Sequence, residues 1–181
     1  MQVVLDLAIT VLGLGIFGQH VWALKSHFAS DRMTSGARII SLGALFTCAI
    51  MLWLVWGREQ PVVAQLVGAA IMALSVVLFR AAVTASEAAR LKYAFDPALP
   101  EQLVTEGPFG RVRHPFYASY LLFWSGWAVA TWSFWSVLPL AILAVLYTIA
   151  ARYEESLLGS SDMAADYSTY RQRAGFFWPK F

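Results

Sequence analysis

The chain has 181 residues, of which 59% are hydrophobic and only 13% charged, and its mean hydropathy is +0.61. A water-facing domain of this size carries about 25% charged residues, so a soluble fold is excluded and a polytopic, all-α transmembrane protein is expected. The single cysteine, Cys48, rules out a disulfide framework and any cysteine-based zinc site, and a net charge of +2 reports membrane topology rather than nucleic-acid binding.

In chain order, uninterrupted apolar runs over 3–22, 39–56 and 62–79 predict three spans. Their one charge is Asp6, near an end. The first run lacks a preceding basic residue and is followed directly by a second span, so it is expected to remain in the protein rather than be removed as a leader. Residues 80–114 differ in kind: nine charges, from Arg80 to Arg113, alternate there with Pro97, Pro100, Gly107 and Pro108. A long polar connection is predicted. The chain turns apolar again over 116–151, broken at 131–135 by a stretch that reads as a tight turn. This gives a fourth span over 116–130, about 22 Å long at 1.5 Å per residue and short for a full crossing, and a fifth that ends near 151.

Lys and Arg are distributed unevenly among the connections. Twelve of the thirteen lie after the first, third and fifth spans, and only Arg58 follows the second. Those three groups share a side, which the positive-inside rule makes the cytoplasm, with the N-terminus outside and the C-terminus in. Trp22, Trp56 and Trp132 fall at span ends, as interfacial aromatics do.

Two polar segments meet on that face. The first ends in Gln-Leu-Val-Thr-Glu-Gly-Pro-Phe-Gly-Arg-Val-Arg-His-Pro-Phe-Tyr over 102–117. Pro115 suits the first turn of a helix, which leaves Arg113 and His114 just ahead of a helix N-terminus, a setting that favours an anion. The same residues also read as a snorkelling arginine and a capping histidine. The second segment is Arg152-Tyr-Glu-Glu155, where adjacent acids oppose the dipole at a helix C-terminus and call for a cation. That cation is either a neighbouring arginine or the ammonium group of a ligand. Tyr167, Tyr170, Arg171, Arg173 and Phe-Phe-Trp-Pro at 176–179 read by themselves as an amphipathic surface tail.

As an ordered set these segments resemble the isoprenylcysteine carboxyl methyltransferase and phospholipid methyltransferase family of integral-membrane enzymes. The resemblance spans residues 99–179 and rests on Leu-Val-Thr-x-Gly-Pro-Phe, Arg-x-Arg-His-Pro-x-Tyr, an apolar hairpin, Glu-Glu-x-x-Leu, and Tyr-x-x-Tyr followed by a terminal Pro. It implies S-adenosylmethionine as cofactor, held at the cytoplasmic face by the C-terminal half, and a lipid-like or small hydrophobic acceptor. It divides the chain into three transmembrane helices (1–80) and a methyltransferase core (81–181). The resemblance further implies that Gln102, Leu103 and Val104 line the adenosine part. Phe109 stands where the family has Tyr. His114, Pro115 and Tyr117 match the cofactor-binding His-Pro-x-Tyr, and Glu154 matches the carboxylate on the cofactor's amino-acid end.

Two departures stand out. Ser161-Asp-Met163 replaces a Phe-Gly, and Ala150 replaces the arginine that contacts substrate carboxylate in the prenylcysteine enzymes, with Arg152 half a helical turn away as its substitute. The catalytic candidates are therefore His114 and Glu155 as proton acceptors and Arg152 as an acceptor contact. A lipid amine is the leading acceptor. The alternatives are a prenylcysteine carboxylate, a small thiol, or a non-catalytic scaffold or carrier that binds headgroups. The hairpin residues Phe116, Tyr120, Phe123, Trp124 and Trp127 are expected either to hold the acceptor's hydrophobic part or to face lipid.

Overall fold

The computed structural model describes residues 1–28, 30 and 32–180. Among these it contains six helices: α1 (Gln2–Ser26), α2 (Ser35–Gly57), α3 (Val62–Ser86), α4 (Pro115–Thr131), α5 (Val137–Gly159) and α6 (Ala164–Arg173). The one β feature among the described residues is an isolated parallel bridge between Val112 and Gly175.

The all-α membrane architecture is as expected, with corrected boundaries. Four helical segments are long and apolar enough to cross a membrane: Gln2–Ser26, Ser35–Gly57, Val62–Ala89 and Phe134–Gly159. α3 runs to Ser86, past the expected end at 79, so Arg80 belongs to the helix and donates to Gln19 (2.8 Å). The division placed at residue 80 thus falls inside a helix. α4 has 17 residues, a rise of about 25 Å, still short of a bilayer core of about 30 Å. It is sheathed by protein instead: Phe123, Trp124, Trp127 and Ala130 are all buried. Pro115 occupies its first turn as predicted. The turn after it forms with Trp132 in the left-handed region (φ 46°), followed by a short 3-10 turn, Phe134–Ser136.

α3 and α4 meet backbone to backbone through Gly68 and Gly126. A Cβ on Gly68 would lie 2.5 Å from the Gly126 carbonyl oxygen, and one on Gly126 would lie 2.8 Å from that of Gly68. Small residues permit this approach, and in lipid it is van der Waals contact rather than water exclusion that rewards it. Around the seam, Met51, Met72, Phe123, Trp124, Trp127, Leu143 and Tyr147 form the main core.

The two ends of the bundle differ. At one, Asp6 accepts hydrogen bonds from Gln65 (2.6 Å) and Gln2 (3.0 Å), tying α1 to the start of α3. At the other lie the C-terminal ends of α1, α3 and α5, the N-terminal ends of α2 and α4, and the 87–114 connection. There Thr34 donates to the Ala94 carbonyl, Tyr93 donates to the Leu24 carbonyl, and His27 pairs with Ser86. The polar segments singled out from sequence converge on this second end.

Candidate active site

The N-terminus of α4 is set by partners distant in sequence. The Arg113 and His114 amides donate to the carbonyls of Gly175 (2.7 Å) and Phe176 (3.2 Å), and the Gly175 amide donates to the Arg111 carbonyl (2.9 Å). The tail therefore adds a short parallel strand to the segment that precedes the helix. The Arg113 guanidinium reaches the Ala174 carbonyl (2.5 Å) and lies over the Phe176 ring. Tyr170 donates to the Phe109 carbonyl (2.8 Å), which fastens α6 to the 3-10 turn Gly107–Gly110. The tail is thus a structural part of the site, not the surface segment expected from its composition. A two-residue bridge has no periodicity by which sequence would reveal it.

The adjacent acids on α5 face different ways, since neighbouring helical residues are about 100° apart. Glu155 is enclosed, accepting from Arg113 (2.7 Å) and pairing with His114 Nε2 (3.1 Å), with the Arg113 and Glu155 side chains only 10% and 11% exposed. Glu154 is one-third exposed. It accepts a hydrogen bond from the Tyr117 hydroxyl (2.6 Å) and faces His114 Nδ1 at 3.6 Å. His114 therefore has a carboxylate beside each ring nitrogen. Burial lowers its pKa, but hydrogen bonds to Glu154 and Glu155 outweigh burial and raise it above its ordinary value.

Beside Glu154 opens a cavity of about 440 Å³, within the size range of small-molecule sites. Gln102, Leu103, Val104, Phe109, His114, Pro115, Tyr117 and Glu154 all line it. All eight expected cofactor-binding residues therefore line the same cavity. Phe116, Tyr120 and Trp124 of the hairpin line it too, whereas Phe123 and Trp127 are core residues. Four of these five are buried and Tyr120 is half-buried. Tyr147 and Tyr170, which the sequence reading did not assign to the cavity, are also on its wall. Tyr147 accepts from Trp124 Nε1 (3.1 Å) and stacks on Tyr117.

The catalytic candidates separate. His114 is on the wall with a carboxylate beside each ring nitrogen, and these acids raise its pKa. Glu155 lies behind the wall, bound to Arg113 and His114, and so positions those residues. Arg152 is exposed and not part of the cavity. Two residues before Glu154 on a helix means about 200° around its axis, so its stem starts on the opposite side. Ala150, one turn before Glu154, is fully buried.

The wall also reaches the bundle's outer surface. Val21, Leu42 and Leu45 line the cavity and are exposed, opening it toward lipid between α1 and α2. Among the described residues, the backbone groups of 102–104 make no hydrogen bond to other backbone.

No curated protein is matched by the chain. A family model described as phospholipid methyltransferase matches residues 63–161, from the start of α3 to just past α5 and more than half of the sequence. With that match over more than half of its length and helices apolar enough to span a membrane, the chain belongs to the phospholipid methyltransferase family of membrane methyltransferases.

Proposed function

We propose that the protein transfers a methyl group from S-adenosylmethionine to an amphiphilic acceptor that enters from the membrane, with a lipid amine as the leading class. The observation that carries this reading is the position of Glu154: a partly exposed carboxylate, fixed by Tyr117 and backed by His114, at the polar end of an aromatic cavity. Such a carboxylate suits the cofactor's α-ammonium group. The backbone of 102–104, on the cavity lining, suits an adenine edge, and the rings of Tyr117, Tyr120 and Tyr147 suit a sulfonium, whose charge aromatic faces attract.

Bound there, the cofactor would supply an electrophilic methyl group. The protein's own work is then alignment and exclusion of water. Arg113 and Glu155 brace His114, His114 and Tyr117 orient Glu154, and the tail strand fixes the whole N-terminus of α4. The opening between α1 and α2 admits an acceptor already dissolved in lipid. With Ala150 in place of a cation and Arg152 outside the cavity, no arginine awaits a prenylcysteine carboxylate at those positions. The site faces the cytoplasm on this reading, with the N-terminus on the opposite side.

Calorimetric titration of detergent-purified protein with S-adenosylmethionine tests the proposal. Glu154→Ala and His114→Ala should each weaken binding by about 1–3 kcal/mol, the loss of a hydrogen bond involving a charged group. Undiminished affinity in both folded variants would refute the assignment. Methyl transfer compared among an aminophospholipid, a prenylcysteine analogue and an alkanethiol then identifies the acceptor.

A further inference from the structure

The tyrosines that line the cavity differ in how far their hydroxyls are committed. Those of Tyr93, Tyr117 and Tyr170 donate to the Leu24 carbonyl, to Glu154 and to the Phe109 carbonyl, and that of Tyr147 accepts from Trp124. The Tyr167 oxygen is sealed within the protein. Tyr120 is different: among the described residues its hydroxyl makes no hydrogen bond, yet it is not one of the buried polar atoms left without a partner. Its oxygen therefore keeps accessible surface.

That surface belongs to the cavity. Neighbouring helices hem the ring in, with centroids of His20 on α1 at 4.6 Å, Tyr147 on α5 at 5.6 Å and Phe79 on α3 at 6.1 Å. Tyr120 is nonetheless only half-buried, and the open space it borders is the cavity that it lines. Phe116, Tyr120 and Trp124 follow one another at intervals of four along α4, on a single helix face, and all three line that space. Tyr120 also lies three residues deeper than Tyr117, whose hydroxyl holds Glu154. Beyond it the lining turns to Phe17, Val21, Leu42 and Leu45. The uncommitted hydroxyl thus stands where the polar end of the cavity gives way to the arm that opens to lipid.

We propose that Tyr120 holds the head of the acceptor: its hydroxyl oxygen accepts a hydrogen bond from the N–H of a lipid amine whose chain lies along the arm between α1 and α2. A phenol can take this part because its oxygen accepts as well as donates. Holding the amine by an N–H leaves the lone pair of the neutral nitrogen unobstructed, next to the rings of Tyr117 and Tyr147 that suit a sulfonium. This role rests on the cavity being the acceptor site of the proposed methyltransferase.

Tyr120→Phe keeps the ring and removes only the oxygen. Dodecylamine and dodecyltrimethylammonium, probes of equal chain length, are each titrated into the full-length wild type and variant in micelles. Both probes are cationic, but only the amine has N–H donors. The substitution is expected to weaken the amine by about tenfold, of the order of one hydrogen bond, and to leave the quaternary ion unchanged. Equal weakening of both probes, as a merely structural role predicts, would overturn the assignment, as would an unchanged amine affinity or no binding of the amine to the wild type. A second readout needs no loss of the hydroxyl: with 3-fluorotyrosine placed only at position 120, dodecylamine should shift the fluorine resonance further than the quaternary ion does, and equal shifts would also overturn it. Titration with S-adenosylmethionine in the same samples separates the two readings. Cofactor binding without any dependence of the amine on Tyr120 would remove this role and leave the methyltransferase proposal standing. Failure of the cofactor to bind, with the amine still dependent on Tyr120, would refute the methyltransferase proposal and keep Tyr120 as a head-group site.

Discussion

Replacing Glu155 by Gln tests the division of labour between the adjacent acids. The wild-type carboxylate accepts from Arg113 at 2.7 Å and pairs with His114 at 3.1 Å, with only about a tenth of the Arg113 and Glu155 side chains exposed. Deleting one partner of a buried ion pair costs about 3–5 kcal/mol, because a charge is left behind without compensation. An amide keeps one acceptor oxygen, and Arg113 keeps its bond to the Ala174 carbonyl, so a loss of about 2–4 kcal/mol is expected. Because Arg113 links α5 to the tail, the loss should appear as early release of 174–176 from 111–114. Denaturant unfolding in micelles reads the stability, and limited proteolysis of the tail reads the release. Glu154→Gln should do the reverse, leaving stability near wild type and impairing S-adenosylmethionine binding. If Glu155→Gln proved as stable as wild type with a protected tail yet failed to bind cofactor, Glu155 would be a direct ligand and its enclosure by Arg113 and His114 would have been misread.

Gly68→Ala should destabilise the bundle by at least about 1–3 kcal/mol, since the new methyl would meet the Gly126 carbonyl at 2.5 Å and the Ala130 nitrogen at 2.7 Å. Gly18→Ala, with nothing within 4 Å, should be neutral or slightly stabilising in the same thermal melt. The raised pKa of His114 means that its protonated form contributes stability, fully present below its ordinary value of 6.5 and lost as pH climbs through the higher folded value. Wild-type melting temperature should accordingly decline across that interval, and His114→Asn should flatten the decline. A C-terminal reporter should be active in the cytoplasm only; activity confined to the outside would invert the orientation and deny the site cytosolic cofactor.

Hydropathy made the spans legible because lipid demands long apolar runs, yet it placed the end of α3 too early. Arg80 looks like a boundary in sequence, but its guanidinium finds Gln19 on α1 and the helix continues to Ser86. The residues named from the ordered motifs, from Gln102 to Glu154, line one cavity. What they left open was direction. Nothing in Glu-Glu says which acid faces inward, because that depends on where Arg113 and Tyr117 lie across the bundle. Arg152 likewise gives no sign in sequence that it lies exposed and outside the cavity. His20 carried no signal in a run read only as a span, since its packing comes from rings on α3 and α4.

The bridge between Val112 and Gly175 also imposes an order on biosynthesis. Arg113 leaves the ribosome 61 residues before the Ala174 carbonyl that it must meet, roughly 3–12 s earlier at ordinary rates of synthesis. During that interval α4 and α5 must enter the bilayer, and Arg113 meets Glu155 at the end of α5 before the tail carbonyl that completes its setting has been made. The end of the bundle that carries Glu154 is therefore completed late, after α4 and α5 have been made. A nascent chain stalled before residue 174 would be embedded in the membrane but without a finished pocket.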